Sequence, residues 1–184
     1  MHRVLSQFDK TEVYIGKGQS VEGFLPALSN NNVRMKPDCQ EVSVHYLRTH
    51  IAPKLFQAHW EEVGQDKSWE VDMNWPYYEF LESQKMLRIV VLLLDAEPVG
   101  YFVFVVSPSL HYRTKVLASS DMFYIMPEHR AQYAVRLFRA AKASARAAGA
   151  HKFYLAFKVY KDITALTKRL GFKQIESVAV TTLE

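Results

Sequence analysis

Two runs of β-favouring apolar residues, Leu87–Leu94 and Val99–Val106, stand on either side of Asp95-Ala96-Glu97-Pro98, and they restrict what this chain can fold into more than any other feature. A strand with one face in water alternates apolar and polar side chains. These runs barely alternate, so they read as a hairpin of buried strands. After Ser107-Pro108 and the polar stretch His111-Tyr112-Arg113-Thr114-Lys115, a third strand is expected over about Val116–Met126, with Pro127 closing it.

Helices are expected to cover this sheet. From about Val42 to Val63 the positions Val44, Leu47, Ile51, Leu55, Ala58 and Val63 recur with helical spacing, Pro53 should kink or divide the segment, and Gly64 ends it. A short helix should follow Pro76 over Tyr77–Lys85. The longest is expected over Gln132–Ala148, with Val135, Leu137, Phe138, Ala141 and Ala145 on one side and Gly149 as its stop. Beyond it come a strand over Lys152–Phe157, a helix over Asp162–Leu170 capped by Asp162, and a final strand over Phe172–Thr182. Residues 1–40 are the least regular part: a strand at Glu12–Ile15, a Gly16-Lys17-Gly18 turn and loops through the polar run Ser29–Asn32. The class is α/β, and 184 residues fit a single domain over 1–184.

The formal net charge is +4, and its excess sits in the second half of the chain, which points to a phosphate-bearing partner. A nucleotide-bearing cofactor and a nucleic acid both qualify; a charge this mild places nucleic acid second. The single cysteine, Cys39, permits no internal disulfide and no multi-cysteine metal site, which fits a reducing cytoplasm. The start MHRVLSQFDK lacks a signal-peptide core, and no apolar run approaches the roughly 20 residues of a membrane helix. None of the histidines falls into a His-Glu-x-x-His arrangement, so no metal is expected. No Gly-x-Ser-x-Gly elbow supports a serine hydrolase.

The stretch Phe123-Tyr124-Ile125-Met126-Pro127-Glu128-His129-Arg130, leading into a long basic helix and then to strand, helix and Leu170-Gly171-Phe172, resembles the GNAT (Gcn5-related N-acetyltransferase) superfamily over about residues 42–184. More narrowly, His59-Trp60-Glu61-Glu62, Leu110-His111-Tyr112, Asp121-Met122-Phe123-Tyr124 and Pro127-Glu128-His129-Arg130 together resemble GNAT-like proteins encoded by bacteriophages and prophages. The resemblance implies a GNAT fold, a central mixed V-splayed β-sheet flanked by helices, with acetyl-CoA as co-substrate in the splay. It implies an N-acyltransferase acting on a small-molecule or protein amine, and a possible homodimer through final strands. It also implies that Tyr124, Ile125 and Met126, with Arg130, Ala131, Gln132, Tyr133, Ala134, Val135 and Arg136, hold that co-substrate, the loop amides gripping its pyrophosphate at a helix N-terminus. The sequence departs from the family in two places: the loop Arg130–Val135 has no glycine, and Thr167 stands where many members carry an acidic tyrosine. Tyr160, Tyr124 or a water would then protonate the leaving thiolate.

Acyl transfer to an amine needs a base for its proton. Asp121 is the candidate, expected to share a strand face with Ile125, although a carboxylate bonding Ser119 or Ser120 at a strand edge would look the same. His111 and Tyr112 could line the acceptor pocket or sit in an exposed loop. Trp60, Glu61 and Glu62 could hold a cationic amine or end a solvated helix, and Glu79 and Glu82 carry the same ambiguity. Beside the enzyme stand two other readings, a GNAT-shaped structural protein and a member directed to nucleic acid.

Overall fold

The computed structural model describes residues 36–64, 69–181 and 183; the features expected at Glu12–Ile15, Gly16–Gly18 and Ser29–Asn32 lie outside them. Five strands form one sheet in the order β1 (Pro37–Glu41), β2 (Leu87–Leu94), β3 (Glu97–Pro108), β4 (Val116–Ile125), β5 (Lys152–Tyr154). The first four pair antiparallel and β5 pairs parallel to β4, so the sheet is mixed. The expected hairpin is β2–β3. Its turn places Asp95 and Ala96 at φ 48° and 71°, the left-handed geometry that matches the twist of the flanking strands.

Both faces of the sheet are covered, which is why the hairpin sequence does not alternate. Val90, Leu92 and Leu94 of β2 face Leu137, Phe138 and Ala141 of α4 (Pro127–Ala147), while Ile89, Val91 and Leu93 face Val44, Leu47 and Ile51 on the other side. That second layer begins with α1 (Val44–Tyr46), a π-helical turn (Leu47–Ile51) and α2 (Ala52–Val63). The segment is divided at Pro53 as expected, the π-helical turn ending at Ile51 and α2 beginning at Ala52 with Pro53 in its first turn. The proline's missing N–H is absorbed by the wide turn just before it, where the Ala52 N–H reaches back to the Leu47 carbonyl. α3 (Trp75–Ser83) completes the layer, with Asn74 as its N-cap and Pro76 in its first turn, close to expectation.

Several boundaries move. β1 forms where loops were expected. α4 starts at Pro127 rather than Gln132, because Pro127 supplies a preset helical φ directly after the strand. α5 is Thr164–Arg169; Asp162 sits just outside it, its carboxylate accepting the Thr164 N–H at 2.8 Å. β5 ends at Tyr154, short of the expected Phe157, and residues 172–181 form no strand. The second departure follows from the first: three residues of β5 give no long edge for a further strand to pair with.

Gly100 on β3 lies tight against β4. A Cβ built there meets the Tyr124 carbonyl oxygen at 2.9 Å and the Ile125 Cα at 3.2 Å, backbone atoms with nowhere to go. Gly100→Ala is therefore expected to destabilise the fold by about 2 kcal/mol, the usual scale of overpacking. A denaturant midpoint unchanged from wild type would refute this.

Candidate functional site

Only Leu117, Ala118 and Ser119 of β4 pair with β5. Beyond that the strands part, and the gap is first bridged by a side chain, the Ser120 hydroxyl accepting the Ala156 N–H at 2.9 Å. On the other edge of β4, Ser120 pairs with Phe104 and Met122 with Val103, which leaves Asp121 as the extra residue of a β-bulge. A bulge reverses the in-out alternation and re-aims the side chain it carries. The expectation that Asp121 and Ile125 share a face is thereby corrected. Ile125 packs toward α4, whereas the Asp121 carboxylate accepts a short hydrogen bond from the Tyr78 hydroxyl of α3. Burial, reinforced by that carboxylate, raises the Tyr78 pKa, so the phenol stays protonated and acts as donor.

A cluster of rings lies beside this pair. Tyr101 is fully buried and its hydroxyl is 2.6 Å from His59 Nδ1 of α2. The imidazole stacks on Tyr124, and the Arg130 guanidinium lies over the same tyrosine ring, 5.4 Å from its centroid. Burial lowers the His59 pKa to about 4, with Arg130 pushing the same way and Glu62 opposing. His59 is therefore neutral at pH 7. In the unfolded chain it would titrate near 6.5, so the folded state binds fewer protons between those values. The stability from burying the neutral ring is full above pH 6.5 and is lost as pH falls through 4. At pH 5 the loss is about 2 kcal/mol. Between pH 7 and pH 5 the thermal midpoint of the wild type is expected to fall about 4–8 °C further than that of His59→Gln. Parallel curves for the two proteins would show that His59 is not the responsible group.

Glu62, near the end of α2, does not face an open pocket. It accepts two hydrogen bonds from Arg130 and a third contact from Lys161 at 3.1 Å. These bonds, led by that from Arg130, hold its carboxyl below the usual glutamate range, and the guanidinium pKa rises in turn. Arg130 also donates from Nε to the Ile125 carbonyl at 2.7 Å. Tyr160, next to Lys161, donates to the Val63 carbonyl at 2.7 Å. The segment after β5 is thus tied to the end of α2 and to α4 near the point where β4 delivers the chain into its helix.

The structure brings some of the expected residues together and separates others. Glu61 and Glu62 do not act as a pair, because successive helix residues point about 100° apart. Glu61 instead accepts from Gln57 at 2.7 Å, and the Trp60 ring packs against Gly64. His111 and Tyr112 lie exposed in the β3–β4 connection, beyond Val116. At strand spacing, Val116 is about 17 Å from Asp121, so this turn is not brought to the bulge. Residues 131–135 form no loop. They continue α4 from Pro127, so its own ladder takes their N–H groups, and Tyr133, in the middle of the expected loop, is buried in the core. Arg136 points elsewhere, donating to the Pro37 carbonyl at 2.5 Å. Thr167 is buried with its hydroxyl on the Thr164 carbonyl, unavailable as an acid. Glu82 caps the Val44 N–H at 2.8 Å and Glu79 faces Arg48 at 3.8 Å. Sequence reasoning missed Tyr78, Tyr101 and the role of His59; an aromatic at helical spacing in front of an apolar strand reads as core.

Among the described residues no three metal-binding side chains converge, and no helix is long and apolar enough to cross a membrane. No curated protein matches the chain in sequence. Solved structures do match its fold. An aminoglycoside acetyltransferase, meta-AAC0020 from an uncultured soil metagenomic sample, in complex with sisomicin, aligns at TM-score 0.63 and 17% identity over 80% of this chain and 97% of that one. A ribosomal-protein-alanine N-acetyltransferase from Brucella melitensis biovar Abortus 2308 aligns at 0.60 and 18% over 80% and 99%. The aminoglycoside N-acetyltransferase AAC(6')-Iy in complex with CoA aligns at 0.59 and 14% over 81% and 95%. The sequence profile of the acetyltransferase (GNAT) family matches residues 52–172, a span running from the start of α2 through the bulged β4, α4 and α5. The mixed sheet that opens between β4 and β5 is therefore that of a family to which this chain belongs, the GNAT acetyltransferases.

Proposed function

We propose that this chain transfers an acetyl group from acetyl-CoA to an amine by direct attack, with Asp121 as the base. The observation that carries the reading is the bulge, which turns one carboxylate out of register at the level where β4 and β5 part, and fixes it through Tyr78. The thioester would lie along the free edge of β4, over Tyr124, Ile125 and Met126. Asp121 takes a proton from the incoming ammonium, the freed lone pair attacks the thioester carbonyl, the C–S bond breaks to release CoA thiolate, and the second proton on the nitrogen passes to water to leave the neutral amide. A thiol of ordinary pKa, about 8.5, leaves as thiolate near neutral pH without an enzyme acid, which suits a site where Thr167 cannot serve. Arg130 and Lys161, which meet at Glu62 by the end of β4, would supply the cations for the pyrophosphate.

Proteins of similar fold act on aminoglycosides and on a ribosomal protein, which supports an amine acceptor of either the small-molecule or the protein class. The motif set resembles that of phage- and prophage-encoded members, which supports a lineage among them, and the single cysteine, Cys39, supports a cytoplasmic site of action. The test is release of free CoA thiol from acetyl-CoA with a panel of polyamines, aminoglycosides and lysine- or alanine-terminated peptides, alongside calorimetric titration with acetyl-CoA. Micromolar binding and amine-dependent thiol release are expected. No heat of binding at millimolar acetyl-CoA would overturn the proposal in favour of a GNAT-shaped binding protein.

A further inference from the structure

The solvent side of α4 carries a second concentration of charge that the acyl-transfer reading does not use. Arg139, Lys142 and Arg146 of α4 and Arg169 at the end of α5 line one recess of about 340 Å³, completed only by Ala143 and Leu170. No acidic side chain enters it. Among the described residues the ion pairs engage Arg48, Lys54, Arg130 and Lys161, and none of these four cations. Lys142 is held in place, donating to the Leu170 carbonyl at 2.6 Å with its ammonium 5.4 Å from the centroid of the Phe172 ring. Cations in a last helical turn offset the helix dipole, which accounts for Arg146 and Arg169. It does not account for Arg139 and Lys142, which lie more than a turn inside α4. Between residues 129 and 181 the chain has eleven Lys and Arg against two acidic residues, Asp162 and Glu176, so little nearby charge neutralises the group.

We propose that this recess docks the phosphate backbone of a double-stranded nucleic acid, without reading its sequence. Seven residues of helix separate Arg139 from Arg146, about 10 Å, a length that spans about three base-pair steps along the duplex axis at 3.4 Å per step. A single small anion is a poorer match. Small-anion sites gather backbone N–H groups at a helix N-terminus, whereas here the recess lies at the C-terminal ends of α4 and α5 and the cations stand on long side chains spread along a line. The four cations are spread along a line that follows backbone charge, so the contacts position the duplex without specifying it. The site is distinct from the acyl-transfer centre, since Arg130 lies nine residues, about 13 Å, before Arg139 on the same helix. The inference does not depend on that chemistry.

The experiment is fluorescence anisotropy of a labelled 20-base-pair duplex with the full chain between 50 and 200 mM salt. Neutralising three to four phosphates predicts a log–log slope near −3, hence an affinity loss of about 10²-fold over that range. Unlabelled duplexes of unrelated sequence should compete equally. Arg139→Gln/Arg146→Gln/Arg169→Gln should flatten the slope to about −1 and weaken binding more than tenfold while leaving amine-dependent thiol release at the wild-type rate. Circular dichroism of that variant, with its surface substitutions, should match wild type; a folded variant that binds duplex as wild type does would overturn the proposal. So would absence of duplex binding at 50 mM salt, or displacement of the duplex by equimolar inorganic phosphate.

Discussion

Asp121→Asn is expected to lower the rate of amine-dependent thiol release about 10²- to 10⁴-fold, the contribution usual for a positioned general base. The substitution keeps the shape of the side chain, and its amide oxygen can still accept from the Tyr78 hydroxyl, so the bulge and its tether should survive. What disappears is the ability to take a proton from an ammonium. The deficit should therefore fall on kcat, with KM for acetyl-CoA and the thermal midpoint close to wild type. Tyr78→Phe supplies the control. It leaves the carboxylate in place but removes the donor that fixes it, so a roughly tenfold loss is expected from misorientation alone, the low end of what positioning contributes. An Asp121→Asn enzyme of wild-type rate would remove Asp121 from the chemistry and return it to a strand-edge role. Equal, small losses in both variants would reduce the pair to a structural bond between α3 and β4.

The role of Asp121 shows where the sequence was legible and where it stopped being so. The hairpin, the third strand and the long helix could be read because their patterns come from burial on known faces, and burial is what periodicity reports. The bulge could not. Ser119-Ser120-Asp121-Met122 carries no glycine or proline to announce an inserted residue, and only the pairing of two distant strands reveals that the alternation slips by one there. The same limit applies to residues 130–135. A glycine-free run of Ala, Gln, Tyr and Val is a good helix, and the structure continues the helix through it, burying Tyr133 in the core and packing the half-buried Val135 against it. Glu61 and Glu62 looked like a pair because they are adjacent in sequence, and helical geometry separates them. Tyr101 and His59 were hidden for the opposite reason, since each occupies a position that core packing alone would explain. Their hydrogen bond bridges α2 and β3, forty-two residues apart in the chain, and no local signal encodes it.

Arg130→Ala should have the second-largest effect, and it separates two roles that the wild-type structure combines. The side chain of Glu62 is 19% exposed. Removing Arg130 leaves that carboxylate with Lys161 alone and frees the Ile125 carbonyl, so a destabilisation of about 2–3 kcal/mol is expected, between the values for exposed and fully buried pairs. For a chain of this length that is a fall of roughly 4–12 °C in thermal midpoint. Acetyl-CoA affinity should also drop, by about 10- to 100-fold, if the guanidinium transfers to the pyrophosphate when the co-substrate binds. Glu62→Gln distinguishes the two roles because it weakens the tether without removing the cation. It should lower stability by about 1–2 kcal/mol, one charge-assisted hydrogen bond exchanged for a neutral one. Yet it should tighten acetyl-CoA binding severalfold, since the phosphate no longer competes with a carboxylate for Arg130. Opposite signs for affinity with the same sign for stability would show that Glu62 holds Arg130 in reserve for the co-substrate. If both variants lose stability and neither changes affinity, Arg130 is a structural clasp, and the pyrophosphate must be met instead by cations of the segment after β5, Lys158 and Lys161.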